Sequence, residues 1–356
     1  MNYYKITNEF ENHHGMQYKD GLNTDILPFN PHGTCTDGGI YFSREDILAF
    51  LDYGPWIRRV TLPQGEPVYK DPGPIQKWKA HRVILGEREE ITLDVIKRLI
   101  QEGADVTADN CVIIVIAAET KNYELMEFIL TQMPKEIGLN LKYAMHTSAR
   151  HDDVKMIDLL LPLGKHLQST FETAATYGGI NVIKRLLPLV DPKENESAAL
   201  RLAVNDGRDL NIVKLLLPVS DPKAKDSEAL RTAAATGNME MLELLLPVSD
   251  RPNTAFVLAA MHGRLEIVKK LMPFYGKKVY TEALFDAIRS NQVNVVRFLL
   301  PVADTHQVLS TAAQYGNAAM IRLLMPEFKD QAEEAIRMAM SWNRMDNADL
   351  IKKLFC

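Results

Sequence analysis

LLLPVSDPKAKDSEALRTAAATGNMEMLELLLP, residues 215–247, decides the fold. The segment before it, LLPLVDPKENESAALRLAVNDGRDLNIVKLLLP at 186–218, is nearly the same text. An apolar run ending in proline recurs at Pro134, Pro162, Pro188, Pro218, Pro247, Pro273, Pro301 and Pro326, with successive spacings of 28, 26, 30, 29, 26, 28 and 25 residues. Self-similarity at such a period marks a repeat array, in which each unit buries its apolar face against its neighbours. An irregular helical bundle has no need of the same text at a fixed period.

One repeat parses physically. Ser227-Glu228-Ala229-Leu230 opens a helix, with Asp226 or Ser227 accepting from the orphan N–H groups of its first turn. Leu230, Ala233 and Ala234 share a face at helical spacing, and the small alanines let a neighbouring helix approach closely. Gly237 ends the helix, because glycine reaches positive φ without steric cost. A second helix, MEMLELLL, turns Met241, Leu244 and Leu245 inward and stops at Pro247. Leu215 and Leu216 are inward in the preceding repeat.

The pattern Ala-Ala-x-x-Gly-Asn/His-x-x-x-Val/Ile-x-x-Leu-Leu resembles the ankyrin repeat. It stands as AATYGGINVIKRLL at Ala174, AAATGNMEMLELLL at Ala233, AAMHGRLEIVKKLM at Ala259 and AAQYGNAAMIRLLM at Ala312. VIKRLIQEGADVTADN, from Val95 to Asn110, is closer still to ordinary ankyrin text. The resemblance implies a mainly α, ankyrin-type helix-pair solenoid over residues 91–356, of about eight to nine units. Ordinary ankyrin units run about 33 residues and carry a β-finger. These are shorter, and the missing residues fall between Leu-Leu-Pro and the next helix, so short turns are expected in place of fingers. Lys121, His151 and Asn291 stand where three repeats would carry the turn glycine. The last unit, IRMAMSWNRMDNADLIKKLF, suits a capping repeat.

Residues 1–90 lack the repeat. Short alternating runs read as strands at 3–7, 40–42, 56–63 and 81–85, and REDILAFLDYG at 44–54 reads as a helix with Ser43 as N-cap and Gly54 as stop. The expectation is a small α+β module with its own core, ahead of the array at 91–356. Val95, Ile96 and Leu99 of the first half-unit could instead pack on Trp78 and Val83. The text GMQYKDGLNTDILPFN, GGIYFSREDILAFLDYGPWIRRVTLP and KWKAHRVILGER resembles an N-terminal module of ankyrin-repeat proteins of giant DNA viruses. Short repeats of the SDPKA type also occur in phage and bacterial ankyrin proteins. The resemblance implies a viral or phage protein acting in the cytoplasm of a host cell.

Composition narrows the function classes. Of 356 residues, 46% are apolar and 24% charged, which are globular values. The net charge of −5 offers no electrostatic footprint for DNA or RNA. No stretch approaches the 18 or so uninterrupted apolar residues of a membrane span. The first residues, MNYYKITNEFENHHG, lack the zones of a signal peptide. The three cysteines, Cys35, Cys111 and Cys356, are far apart and odd in number, which suits a soluble, reduced protein rather than a disulfide framework or a Cys-rich zinc site.

Candidate chemistry is sparse. Gly-Gly-Ile-Tyr-Phe-Ser, then a helix and a strand, faintly resembles half of an ADP-ribosyltransferase fold, and Glu87-Arg88-Glu89 has the two-residue carboxylate spacing such enzymes use. The Arg or His that such enzymes carry on the first strand is absent from YYKIT, and Glu-x-Glu is more often a solvated charge run. His13-His14 share no face and have no second pair at metal-ligand spacing. Asn23-Thr24 and Gly38-Gly39 are turn signals, not phosphate loops, and Cys35 reads as a loop thiol. The expectation is no catalytic residue, no cofactor and no metal.

The slot after each Ala-Ala pair is more informative. It holds Tyr177, Asn205 and Asp206, Thr236, His262, Arg289, Tyr315 and Trp342. In the ankyrin family this slot faces the concave surface, so the resemblance implies that these eight residues contact a protein partner. Tyr, Trp and Arg dominate interface energetics. The reading is a non-enzymatic scaffold that binds a host or partner protein and counteracts a host process. The alternatives are an enzyme that captures its target with the repeats, and a self-associating structural protein.

Overall fold

The structure is a computed structural model that describes residues 2–13, 15–32, 38–133, 139–207 and 209–355, with side chains for all of these except Leu139 and Asp206. It divides into two compact bodies, residues 1–170 with 184–186, and residues 171–183 with 187–356.

The first body begins with nine strands: β1 Tyr3–Thr7, β2 Asn12–His13, β3 Met16–Gln17, β4 Gly21–Thr24, β5 Ile40–Ser43, β6 Trp56–Thr61, β7 Tyr69–Lys70, β8 Lys77–Ala80 and β9 Arg82–Glu90. Seven of them form one sheet in the order β4-β9-β6-β1-β5-β8-β7, and β2 pairs with β3 apart from it. All the pairings are antiparallel. The four strand runs expected from alternation are present. The expected helix is a 3₁₀ helix, Glu45–Tyr53, with a kink at Asp46. Ser43 does not cap it: the residue ends β5, and its hydroxyl donates to Gln76 O at 2.6 Å. Gly54 does stop it, because a Cβ there would lie 2.3 Å from Thr7 O.

The sheet has an apolar cluster on each face. One contains Met16, Tyr18, Ile40, Phe42, Val60, Val83 and Leu85. The other joins Tyr4, Ile6, Ile47, Leu48 and Ile57 to Val95, Ile96 and Leu99, and continues through Ile113, Ile114 and Met126 to Leu160. Val95, Ile96 and Leu99 therefore do not pack on Trp78 and Val83, which belong to the opposite face. The helix Leu93–Gln101 starts directly after β9, capped by Thr92, and turns back onto the face that carries the 3₁₀ helix. The Asp105 N–H then donates to Glu45 O at 2.7 Å. The change of text at 90/91 is thus a change from strand to helix across which packing continues.

A buried ion pair lies between the turns of this sheet. The Arg58 guanidinium donates to Glu11 through Nε (2.6 Å) and Nη2 (2.7 Å), and through Nη1 to Asp20 (2.5 Å) and Gly86 O (2.6 Å). The side chains of Arg58 and Glu11 are 3% and 8% exposed. A bidentate pair with its remaining donors satisfied is what makes burying two charges tolerable.

In the rest of the chain, nine helix pairs follow among the described residues, from Ala108–Glu119 with Tyr123–Gln132 to Ala332–Ser341 with Met345–Phe355. The described residues beyond Glu90 contain no strand, so short turns stand in place of β-fingers. In the second helices the inward set is i, i+1, i+4: Ile212, Val213 and Leu216; Met241, Leu242 and Leu245; Ile267, Val268 and Leu271. Leu215 and Leu244 are half-buried instead, because 100° per residue carries them to the flank of that strip. In the first helices, Ala233 with Ala234 and Ala259 with Ala260 are fully buried, and successive first helices from Glu194–Asp206 to Ala332–Ser341 pack on one another. Prolines 162, 188 and 273 lie in 3₁₀ turns that end the second helices.

Gly178, Gly207, Gly237 and Gly263 take the left-handed turn. Where glycine is missing the same turn is made by Lys121, Asp152, Asn291 and Asn343. In the second of these pairs the turn residue is therefore Asp152, one position past His151; Asn and Asp tolerate this region better than most residues. The residue after the turn commonly caps the second helix, as Asn122, Asp153, Asn238 and Asn317 do.

Ser227 does not act as the local N-cap of its helix, nor does Asp226. Lys225, Asp226 and Ser227 form a left-handed turn, as do Asn195, Glu196 and Ser197. The Ser227 hydroxyl accepts from Asp250 N at 3.0 Å, in the next repeat, and Ser197 accepts from Asp221 N at 2.8 Å. Thr281 does the same for Asp304 N at 2.8 Å. Each of these hydroxyls fastens the start of the following turn, whose Asp221 or Asp304 carboxylate in turn accepts from the N–H two residues on.

Three predictions follow from this packing. Ser227→Ala removes the acceptor of the part-buried Asp250 N–H and is expected to cost about 1 kcal/mol in urea denaturation; an unchanged midpoint contradicts the link. Arg58 holds the Glu11 carboxyl below its ordinary value of 4.5. The folded pKa is the lower one, so the stabilisation is complete above about pH 4.5 and is lost as pH falls through the lowered value. Glu11→Gln is expected to cost on the order of 3 kcal/mol at neutral pH and to flatten the acid limb of the stability curve. Because one apolar cluster crosses 90/91, limited proteolysis of the native protein is expected to spare residues 86–92. Prompt cutting there into two stable fragments would mark an independent first module.

Candidate functional site

The slot residues lie where the first helix of each pair ends. Tyr177 closes the helix Leu167–Tyr177, Thr236 closes Ala224–Thr236, Arg289 closes Lys277–Arg289 and Tyr315 closes Val308–Tyr315. Asn205 is the penultimate residue of Glu194–Asp206, and the side chain of Asp206 is outside the described set. His262 and Trp342 are the C-cap residues of Asn253–Met261 and Ala332–Ser341. The positions follow from the repeat: two residues after the buried alanine pair, the helix has turned its side chains away from the stack.

All seven described slot residues are exposed, with Tyr177 at 45%, Tyr315 at 44% and Trp342 at 58%. Large aromatics this exposed stand out in a stack whose neighbouring alanines are buried. Three of the seven meet across successive repeats. The Arg289 guanidinium carbon lies 6.0 Å from the Tyr315 ring centroid. The Tyr315 and Trp342 rings are 6.3 Å apart, tilted by 42°. Arg289 is also held by Asp286, Nη1 to Oδ1 at 2.6 Å. The result is a fixed guanidinium–phenol–indole row with apolar faces and polar ends. Thr236 has a different use, since its hydroxyl donates back to Thr232 O at 2.9 Å.

Two further residues border the slots and were not singled out from sequence. Arg264 reaches back one repeat, its Nε donating to Ala235 O at 3.0 Å and its side chain arching over Gly237, where a Cβ would meet Arg264 Cδ at 2.8 Å. Asn347 donates to Ala313 O (2.9 Å) and Gly316 O (3.2 Å), beneath Tyr315. Each bridges from one repeat to the helix end of the repeat before it, a relation that emerges only when the repeats are stacked.

The other candidates resolve as structure. Glu89 receives both Nη atoms of Arg98, at 2.8 and 2.5 Å, which keeps its carboxyl below the usual range and occupies it with an ion pair. Glu87 is exposed on the same strand. His13 ends β2 and shares a hydrogen bond with the Tyr53 hydroxyl; His14 and Cys35 are outside the described residues. The Asn23 side chain closes the turn at Lys19–Gly21 through three hydrogen bonds. Gly39 N donates to Asp25. Cys111 is buried, and burial pushes its thiol pKa up, away from the reactive thiolate. No group of three or more His, Cys, Asp or Glu that could hold a metal ion occurs among the described residues, and no helix among them is long and apolar enough to cross a membrane.

A family model for ankyrin repeats, three copies, matches residues 230–308. Among curated proteins the chain is similar to several of Acanthamoeba polyphaga mimivirus. One, named as an ankyrin repeat protein, is 41% identical over 112 residues, covering 29% of this chain and 36% of the relative. A second of the same description is 33% identical over 144 residues, 39% of this chain and 42% of the relative. An uncharacterized protein is 39% identical over 109 residues, 29% of this chain and 79% of the relative. The matched region thus spans about two fifths or less of the first two relatives. The helix pairs, their left-handed turns and these matches agree: the chain belongs to the ankyrin-repeat proteins, in the family that includes these giant-virus proteins.

Proposed function

We propose that this protein is a non-enzymatic scaffold that captures one partner protein with the exposed ends of its first helices, centred on Arg289, Tyr315 and Trp342. The partner is a protein of the host cell in which a giant virus multiplies, the setting is the host cytoplasm, and the capture interferes with a host process. The observation that carries this reading is the row in which Arg289, Tyr315 and Trp342 touch across three successive repeats while remaining exposed. Pre-positioned aromatics and an anchored guanidinium lose little freedom on binding and offer apolar area with polar ends. Tyr177, Asn205, Asp206, Thr236 and His262 extend the same face to earlier repeats and supply its adaptable, less energetic contacts. The viral setting is supported by the mimivirus relatives.

The test is affinity capture from amoebal host extract with the full chain, read by mass spectrometry, against the triple variant Arg289→Ala, Tyr315→Ala, Trp342→Ala. The melting temperature is expected to stay within a degree or two, because alanines and leucines already fill the stack. Loss of one central anchor typically costs about 2 kcal/mol, roughly thirtyfold in affinity, so the triple variant is expected to lose the captured protein. Undiminished capture by a folded triple variant would move the site elsewhere. Light scattering that shows the captured protein to be a second copy of this chain would replace the scaffold with a self-assembling protein.

A further inference from the structure

The second helices of the pairs carry a column of charge. Their fifth residue follows the inward i, i+1 positions and is turned to solvent. Toward the end of the chain it is Glu243 in Met239–Leu245, Lys269 in Leu265–Leu271, Arg297 in Val293–Leu299, Arg322 in Ala318–Leu324 and Asp349 in Met345–Phe355, and all five are exposed. The last four of these helices pack side by side in succession. The Lys269 ammonium lies 5.9 Å from the centroid of the Phe298 ring, on the next helix. Three cations therefore stand on three consecutive repeats, with an acid at either end. Lys214 holds the same place in Leu210–Leu216, beyond Glu243.

The acids at the ends have partners of their own: Glu243 meets Lys270 at 2.6 Å, and Asp349 meets Lys352 at 3.4 Å. Lys269 pairs with Glu266 of its own helix at 2.8 Å, an exposed contact that water weakens. Arg297 and Arg322 make no hydrogen bond and no ion pair among the described residues. Their helices contain no Asp or Glu, and the next acids along the chain, Asp304 and Glu327, lie beyond Pro301 and Pro326. Beside each guanidinium is a half-buried apolar residue, Phe298 next to Arg297 and Leu323 next to Arg322. The surface thus alternates cations with apolar ledges. Helices packed side by side lie about 8–10 Å apart, which sets the repeat of this alternation. A polyproline II segment brings every third side chain to one face, once per three residues or about 9 Å.

We propose that the second helices of these three repeats bind an acidic, proline-rich protein segment in the polyproline II form, with glutamates at every third position. Its carboxylates meet Lys269, Arg297 and Arg322 in turn, and its prolines rest on Phe298 and Leu323. The match of charge and spacing fits three glutamates and no more, because a fourth would come to Glu243 or Asp349. This surface is separate from the helix-end row, so the triple variant that empties the row is expected to keep the segment.

The probe is the fluorescein-labelled peptide Pro-Glu-Pro-Pro-Glu-Pro-Pro-Glu-Pro, titrated with the full chain by fluorescence anisotropy. Beside it runs Pro-Pro-Pro-Glu-Glu-Glu-Pro-Pro-Pro, of the same composition with its glutamates adjacent. The spaced peptide is expected to bind saturably and more tightly than the clustered one, and to weaken as salt is added. Arg322→Glu is expected to weaken it about tenfold, since it replaces an exposed attraction by a repulsion. Arg337→Glu makes the same charge change on the exposed side of a first helix and is expected to weaken it less than twofold. Both arginines are exposed, so both variants are expected to melt like the parent. Absence of saturable binding, equal affinity for the two peptides, or binding indifferent to Arg322→Glu would overturn the proposal. So would tighter binding of an oligothymidylate of equal charge, which would make this a surface for phosphates.

Discussion

Each helix pair leaves half of its apolar strip uncovered until another pair lies on it, and the rest of the structure depends on that incompleteness. The strip is narrow: an alanine pair on the first helix, and residues i, i+1 and i+4 on the second. Alanine matters because the first helices pack directly on one another, and a larger side chain would hold the neighbouring helix away. Around this contact the polar backbone is closed across repeats as well as within them. The buried hydroxyls of Ser197 and Ser227 satisfy N–H groups of Asp221 and Asp250 in the following repeat. Burial and hydrogen bonding thus follow the same nearest-neighbour rule.

That rule also explains the division of labour within a repeat. Inward positions are held to apolar residues, mostly alanine, leucine, isoleucine, valine and methionine, and the turn to a residue that accepts positive φ. The helix-end slot carries no such constraint, and there seven repeats hold six residue types: Tyr177, Asn205, Thr236, His262, Arg289, Tyr315, Trp342. Constancy inside and variety outside, in a single chain, is what a reusable stack with a replaceable surface requires.

The local part of this design is legible in the sequence. Proline stops, alanine pairs and turn glycines each act within four or five residues, so their text fixes helix ends directly. What depends on a neighbour is not legible. Ser227 has the chemistry of an N-cap, and its use on the next repeat becomes apparent only with that repeat in place. Leu244 and Leu242 are equally apolar, and only the facing helix decides that Leu242 is inside. In the sheet, IYF and WIRRVT announce themselves by composition, whereas KWKA at 77–80 is a strand because β5 lies beside it. The slot positions could be found from the repeat; that Arg289, Tyr315 and Trp342 touch could not.

The apolar cluster that runs from β1 through the helix Leu93–Gln101 to Leu160 has a consequence for synthesis of the chain. A ribosome delivers Tyr4, Ile6 and Ile57 long before Ile114, Met126 and Leu160, which lie in the same cluster. That face is covered first by the 3₁₀ helix Glu45–Tyr53 and then by the helix Leu93–Gln101, and the cluster is complete only when Leu160 has been made. Such sequence-distant contacts slow folding and lengthen the exposure of sticky surface. The second body has the opposite schedule, because each new helix pair finds its cover in the one just finished. In this protein the beginning of the chain waits, and the end folds as fast as it is made.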